Sequence, residues 1–117
     1  MKKIYLACPY TDSDFNVSIK RFDIVNRVAG KLMNEGYIVL SPISHTHPIA
    51  CVCDLPKDWE FWERQDREFI RWADEVFVLR LDGWLDSVGV RAEINFAIKM
   101  KKPVRYLDWD GSNFSYK

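Results

Sequence analysis

The sequence lacks a long apolar run, an excess of charge of one sign and a glycine-rich phosphate-binding motif. No stretch of about 18 apolar residues occurs, so we expect no transmembrane helix and no membrane partner. Seventeen basic and seventeen acidic side chains cancel, which provides no broad electrostatic attraction to nucleic acid or to a membrane surface. Neither a GxGxxG fingerprint nor a Walker loop is present, so we predict no NAD or ATP site and no cofactor.

The cysteine content and the first residues predict the cellular compartment. The chain has three cysteines, an odd number that does not suit a disulfide framework. The basic start is followed too soon by Pro9 for the apolar region of a signal peptide. We therefore expect a cytoplasmic protein with free thiols.

The length and the hydrophobic pattern predict the fold. A chain of 117 residues suits one domain, which we place at 1–117. Strands alternating with helices predict an α/β fold with a four- to five-stranded parallel sheet, a Rossmann-like or flavodoxin-like three-layer α/β/α sandwich. The proline-rich segment 42–56 and the tail after Asp108 are predicted as loops. The predicted strands are 4–8, 37–40, 76–81 and 104–107, and the predicted helices are 15–34, 58–72 and 88–100.

The carboxyl ends of the predicted strands are where a ligand is expected, because parallel α/β sheets bind ligands at that edge. Pro9 and Tyr10 follow the first strand, and His45 follows the second. Asp86 and Ser87 follow the third strand and precede a helix. These residues are predicted to contact substrate.

Asp66 lies on the apolar stripe of the second predicted helix, between Trp62 and Phe69. Burial of a carboxylate is costly and raises its pKa, which suits a general acid. The alternative is that Asp66 lies at the edge of the stripe and forms a salt bridge with Arg64 or Arg67. Trp62 either packs in the core or stacks on a planar ligand.

Glu93 lies in the second turn of the third predicted helix. Gly89, one turn earlier, would let a ligand approach the backbone, and the helix N-terminus favours an ionised Glu93 that could act as a nucleophile. The alternative is an ordinary glutamate that stabilises the helix dipole. Ser87 suits an N-cap, and the same place suits a phosphate or a sugar hydroxyl.

Two histidines and two cysteines, in His45-Thr46-His47 and Cys51-Val52-Cys53, lie within nine residues. Structural zinc sites prefer two to four residues between paired ligands, whereas each pair here is separated by one. We therefore expect no metal. One histidine, which we assign as His45, is expected to line the cleft as a hydrogen-bond donor.

Several motifs share their spacing with a known superfamily. An Asp stands eight residues before a second Asp that opens the central strand, a Ser stands six residues before a Glu, and a Gly stands four residues before that Glu. On these motifs the chain resembles the nucleoside 2-deoxyribosyltransferase-like superfamily over nearly its whole length, and is most similar to the bacterial branch called domain of unknown function 1937. The matching positions are Tyr5, Asp66, Asp74, Ser87, Gly89, Glu93 and the segment Lys102-Pro103-Val104.

The resemblance implies cleavage of the bond between a nucleobase and its sugar. Glu93 would attack the anomeric carbon, Asp66 would protonate or hydrogen-bond the departing base, and Tyr5 would orient Glu93. Ser87 would hold the 5′-hydroxyl or the 5′-phosphate of a nucleoside or nucleotide.

The resemblance also bears on the substrate and the assembly. A serine rather than an aspartate at position 87 favours a nucleotide N-hydrolase acting on 5′-monophosphates over a base-exchanging transferase, although the adjacent Asp86 argues against a phosphate. A homo-oligomer, dimer or tetramer, in which a neighbouring subunit completes the site, is implied. The alternative is a non-catalytic module that binds or sequesters a nucleotide in the same pocket.

Overall fold

A central sheet with helices on both faces forms the structure. The computed structural model describes residues 2–56 and 58–117. Within these residues, no helix is both long enough and apolar enough to cross a membrane. The elements in chain order are β1 (Lys3–Ala7), α1 (Phe15–Asn34), β2 (Ile38–Leu40), α2 (Pro42–Cys53), α3 (Trp59–Trp72), β3 (Glu75–Leu79), a short 3₁₀ turn (Trp84–Asp86), α4 (Val88–Lys99), β4 (Val104–Trp109) and β5 (Phe114–Tyr116).

The five strands are ordered β2-β1-β3-β4-β5. The first four run parallel, and β5 pairs with β4 in the antiparallel sense. This arrangement confirms the predicted Rossmann-like α/β fold with a mostly parallel sheet. The order reverses between β1 and β3, which creates a crevice at the carboxyl ends of these two strands.

Alternation along β1 separates the two layers of the core. Ile4 and Leu6 face the layer built on α1, where α1 buries Val25, Val28 and Leu32. Each such side chain stabilises the fold by about 1.5–3 kcal/mol on burial. The residues between them, Tyr5 and Ala7, face the other layer, which includes Ile70 of α3 and Val90, Phe96 and Ala97 of α4. The alternation therefore sends the Tyr5 hydroxyl towards α3 and α4.

A buried arginine on α1 joins the loops that follow β1 and β3. The guanidinium of Arg21 donates to the carbonyl oxygens of Tyr10 at 3.3 Å, Thr11 at 3.2 Å and Asp82 at 2.7 Å. Gly83 has a φ of +89°, and a Cβ there would lie 2.9 Å from Nη2 of Arg21. The two loops that border the crevice are therefore held by one side chain.

The prediction that 42–56 forms a loop is wrong, because Pro42–Cys53 is helical. Ser41 caps this helix by accepting from the backbone N–H of Ser44 at 3.3 Å, and Pro42 occupies the first turn, where a proline is tolerated. Pro48 lies inside the helix and removes one backbone donor there, which is why the segment reads as a loop. Asp54 ends the helix in the left-handed conformation.

The prediction that the tail after Asp108 is a loop is also wrong. β4 continues to Trp109, and Phe114–Tyr116 adds a fifth strand. Asp110 shapes the hairpin turn, since its Oδ1 accepts from the backbone N–H groups of Ser112 and Asn113 at 2.9 Å and 2.7 Å. The added strand packs Phe114 against the core layer of α1.

Candidate active site

The crevice at the carboxyl ends of β1 and β3 opens into a cleft of roughly 610 Å³. One wall comes from the end of β1 and from α2, and the other comes from α3 and the start of α4. A cleft of this size suits a small-molecule ligand. Among the predicted site residues, those lining it are Tyr10, Trp62, Asp66, Asp86, Ser87, Gly89 and Glu93.

Tyr5 and Glu93 form a buried hydrogen bond at the base of the cleft. The Tyr5 hydroxyl donates to Oε2 of Glu93. Tyr5 is fully buried on β1, and Glu93 is only 5% exposed on α4, where it shares a buried face with Val90 and Ala97. The spacing of these three α4 residues is helical, so a carboxylate occupies a position that an apolar side chain would normally take.

Asp66 lies beside this pair. It is 7% exposed on α3, and its Oδ1 has no hydrogen-bond partner among the described residues. The position on the apolar stripe is therefore an inward one. A buried oxygen without a partner is costly, and Asp66 lines the cleft, so Oδ1 is free to accept a hydrogen bond from a group that enters there.

Burial raises the pKa of both carboxyl groups. Loss of hydration raises the pKa of Asp66 to about 7, and Tyr5 lies near enough to lower it in part. Loss of hydration and the neighbouring Asp66 raise the pKa of Glu93 to about 8, opposed by the Tyr5 hydrogen bond. The same burial and the two carboxylates raise the pKa of Tyr5, so its hydroxyl remains a donor.

These shifts correct the expectation that the helix N-terminus keeps Glu93 ionised. The dipole acts mainly within the first turn, whereas Glu93 lies in the second turn and is buried. Desolvation therefore outweighs the dipole at Glu93. Because the two carboxyl groups interact, they titrate as a pair that holds about one proton near neutral pH.

The start of α4 borders the same cleft. Ser87 caps the helix by accepting from the N–H of Val90 at 3.2 Å. A Cβ at Gly89 would lie 3.6 Å from Cε3 of Trp59, so the absence of a side chain keeps the space between α3 and α4 open. The exposed Asp86 lies beside Ser87. The structure thus brings the predicted 5′-binding residues together with the two carboxyl groups.

The histidine in the cleft is His47, not His45. His45 is exposed on α2 and lies outside the cleft. Its ring is next to that of Phe69, with 6.3 Å between the two ring centroids. His47 lines the cleft, where its Nδ1 is hydrogen-bonded to the Tyr10 hydroxyl and its ring packs on Phe22 at 4.3 Å. The reason is that 42–53 is a helix and not a loop. Residues two positions apart in a helix are rotated by about 200° around its axis, so the two histidines lie on different faces and only one of them faces the cleft.

Pro9 also lies away from the cleft surface. It is buried at the end of β1, and its carbonyl accepts from the thiol of Cys8 at 3.2 Å. Cys8 lines the cleft in its place. Burial raises the pKa of the Cys8 thiol, which keeps it neutral and makes it a poor nucleophile.

Two tryptophans of α3 give the cleft an aromatic wall. Trp62 donates from Nε1 to the carbonyl of Pro56 at 2.8 Å, which fixes its ring. Trp59, not assigned from the sequence, packs opposite Gly89. The helical spacing of the two residues was the signal that both lie on one face.

No cluster of three or more His, Cys, Asp or Glu side chains that could hold a metal ion occurs within 2–56 and 58–117. His47 and Cys51 approach each other at 3.6 Å between Nε2 and Sγ, which is a pair rather than a cluster. The side chains that line the cleft carry carboxyl, hydroxyl, imidazole, thiol and aromatic groups.

Comparison with known proteins places this arrangement in a family. The family described as "Domain of unknown function (DUF1937)" matches residues 2–108. The chain belongs to this family. The matched region contains the whole cleft, whereas β5 lies beyond it. No curated protein matches the chain.

A solved structure extends the comparison to a wider superfamily. The chain is similar to a 2-deoxyribosyltransferase from the psychrotolerant bacterium Bacillus psychrosaccharolyticus, described as a biocatalyst for the synthesis of nucleosides. The two are 27% identical, the match covers 97% of this chain and 77% of the other, and the TM-score is 0.61. These findings confirm the predicted resemblance to the nucleoside 2-deoxyribosyltransferase-like superfamily.

Proposed function

We propose that this protein cleaves the N-glycosidic bond of a nucleoside or nucleotide. The observation that carries the proposal is the buried cluster of Tyr5, Asp66 and Glu93 at the base of an open cleft. The similarity to a deoxyribosyltransferase over 97% of the chain supports the same reaction class.

Glu93 is proposed as the nucleophile. Its carboxylate attacks the anomeric carbon, the bond from that carbon to the base breaks, and a glycosyl ester forms. The Tyr5 hydroxyl aims Glu93 and favours its ionised form through the hydrogen bond. Because the pKa of Glu93 is the higher of the two, the reactive form is the minor one, in which the proton of the pair lies on Asp66. Asp66 then delivers this proton to an uncharged departing base, which would otherwise leave as an anion.

Water is the proposed acceptor in the second step. It attacks the anomeric carbon of the ester, frees the sugar and restores the carboxylate of Glu93. The cleft opens to solvent beside the exposed residues Asp58, Glu60 and Asp86, so water can enter. A second base in place of water would make the reaction a transfer. Ser87, at the start of α4, is proposed to contact the 5′ position of the sugar.

A base-release assay tests the proposal. Purified protein is incubated with ribo- and deoxyribonucleosides and their 5′-monophosphates, with and without a second free base. The wild type is expected to release the base. Release is expected to disappear in Glu93→Gln and Asp66→Asn and to persist in the matched surface variant Glu68→Gln. Exchange that requires the second base would replace hydrolysis by transfer.

Binding without turnover is the second outcome. A ligand that raises Tm of the wild type while no base is released would favour the non-catalytic binding module. Neither release nor binding would refute both functions.

We also propose a homo-oligomer that covers the mouth of the cleft. Leu85 and Val88 border the start of α4 and are 65% and 69% exposed, and burying them against a second copy would remove apolar surface from water. Light scattering after size exclusion is expected to show a dimer or tetramer, and Leu85→Lys is expected to shift it towards monomer. A wild-type monomer at assay concentrations would contradict this.

A further inference from the structure

The charge of the cleft is one-sided. Five acidic residues line it, namely Asp58, Glu60, Asp66, Asp86 and Glu93. Among the described residues, no lysine or arginine does so. The chain as a whole has equal numbers of acidic and basic side chains, so this imbalance belongs to the cleft and not to the composition. A cleft lined by charge of one sign concentrates ligands of the opposite sign.

The aromatic lining suits the same kind of ligand. Trp59, Trp62 and Tyr10 are among the residues that line the cleft. The face of an aromatic ring attracts a cation, and tryptophan does so most strongly. A planar cation would therefore stack on these rings while the carboxylates balance its charge.

The unpartnered oxygen of Asp66 is independent support. Oδ1 is buried and has no donor among the described residues, although Asp66 lines the cleft. A cationic base carrying N–H groups would supply both the missing donor and the missing positive charge. A 5′-phosphate, held near Ser87 at the start of α4, would instead bring more negative charge beside Asp86, which is unfavourable.

We propose that the cleft selects a nucleoside that has a free 5′-hydroxyl and a positively charged base, as produced by alkylation of a ring nitrogen. The proposal rests on the proposed function for its chemistry, but its binding preference can be measured separately. Two residues gave opposite expectations for the 5′ end of the substrate: Ser87 favoured a 5′-monophosphate, and Asp86 argued against a phosphate. The proposal agrees with the expectation from Asp86.

The reaction of such a substrate balances without an added proton. Glu93 forms a bond to the anomeric carbon, the bond to the base nitrogen breaks, and its electron pair neutralises the base. Water then cleaves the ester and releases one proton to solvent. A cation in the cleft also stabilises the ionised forms of both Asp66 and Glu93, so the substrate itself promotes the active nucleophile.

Two isomers provide the test. 1-Methyladenosine is protonated and cationic at neutral pH, whereas its isomer N6-methyladenosine carries one proton fewer and is neutral. Calorimetric binding to Glu93→Gln and base release by the wild type are measured for both, and for adenosine with and without a 5′-phosphate. The cation is expected to bind at least about tenfold more tightly than its isomer, and the monophosphate at least about tenfold more weakly than adenosine.

Variants assign the preference to the rim of the cleft. The triple change Asp58→Asn, Glu60→Gln and Asp86→Asn is expected to bring the affinity ratio of the isomers towards one. Glu68→Gln, an exposed α3 change away from the cleft, is expected to leave the ratio unchanged. Because Lys57 lies outside the described residues, Lys57→Gln is included; a wild-type affinity for the monophosphate that this variant loses would overturn the proposal.

The outcomes separate the two proposals. Preference for the cation without release of any base would refute the proposed cleavage and support this inference. Release from neutral nucleosides, with equal or weaker binding of the cation, would refute this inference and support the cleavage. Tighter binding of the monophosphate than of adenosine would also refute it.

Discussion

The raised pKa of Glu93 makes the stability of the protein depend on pH in a defined direction. In the unfolded chain the group titrates near 4.5, whereas in the fold its pKa is about 8. Between these values the folded state holds a proton that the unfolded state has lost, so the free energy of unfolding falls as pH rises. Glu93→Gln removes this titration while keeping an oxygen that can accept from Tyr5.

The magnitude follows from the two pKa values. Each pKa unit corresponds to about 1.4 kcal/mol, so at pH 7 the wild type has lost on the order of 3 kcal/mol relative to acidic pH through this group. The variant does not incur that loss. Its free energy of unfolding is therefore expected to gain on the wild type by about 2–4 kcal/mol between pH 4.5 and pH 7.

Urea unfolding at half-unit pH steps measures this difference, since the carboxylates other than the coupled Asp66 titrate in both proteins and cancel. Measuring both proteins in an Asp66→Asn background removes the titration of Asp66 from the comparison. Glu68→Gln, on an exposed part of α3, is expected to show a nearly constant difference from the wild type. Parallel stability curves for Glu93→Gln and the wild type would refute the claim that burial raises the pKa of Glu93. If Glu93→Gln loses stability relative to the wild type as pH rises, the pKa of Glu93 is lowered by the fold and not raised.

Three further changes test the parts around Glu93. Tyr5→Phe removes a hydrogen bond to a buried carboxylate, and such a bond is worth about 1.5–3 kcal/mol. The pKa of Glu93 is therefore expected to rise by about 1–2, which moves the rising limb of the pH–rate profile to higher pH. An unmoved limb would contradict this. Gly89→Ala is expected to keep or raise Tm, because alanine is favoured over glycine in a helix by about 0.5–1 kcal/mol. The added methyl group, 3.6 Å from Trp59, would occupy space in the cleft, so KM is expected to rise roughly tenfold. An unchanged KM would show that the substrate does not use the space beside Gly89. Arg21→Met is expected to lower the free energy of unfolding by about 2–4 kcal/mol in chemical denaturation, since three carbonyl oxygens lose a charged donor, and a loss under 1 kcal/mol would refute that role.

Hydrophobic periodicity was enough to predict most of the fold. The predicted and observed bounds of α1 agree at 15–34, because its apolar residues recur at helical spacing between an Asp14 cap and Gly36. The same argument placed Asp66 on an inward face of α3, which the structure confirms. These features depend on local sequence, and local sequence is what a single chain reveals.

The errors have a common physical origin. Pro48 suggested a loop at 42–56, but a tertiary contact of Ile43 with the α1 layer and the Ser41 cap favour a helix. The Asp110-Gly111 pair was an available hairpin signal, and the aromatic residues after it were not read as a strand. Both segments depend on packing against distant parts of the chain.

The pKa of Glu93 could not be predicted from sequence for the same reason. Its position near a helix N-terminus was visible, whereas its burial and its proximity to Asp66 arise from the packing of α3 against α4. The assignment of His45 rather than His47 failed because the helix bounds were missing. Roles that depend on the direction of a side chain require the element to be correct first.

The contact between Arg21 and Gly83 has a consequence for the evolution of the family. A side chain at position 83 would collide with the guanidinium and would need an unfavourable backbone conformation, so each residue limits what the other can become. We expect the two positions to change together among relatives, although 61 residues of sequence lie between them. Loops that drift independently in most proteins would then be inherited here as one unit, and a change of substrate in this lineage would have to preserve that link or replace both of its ends.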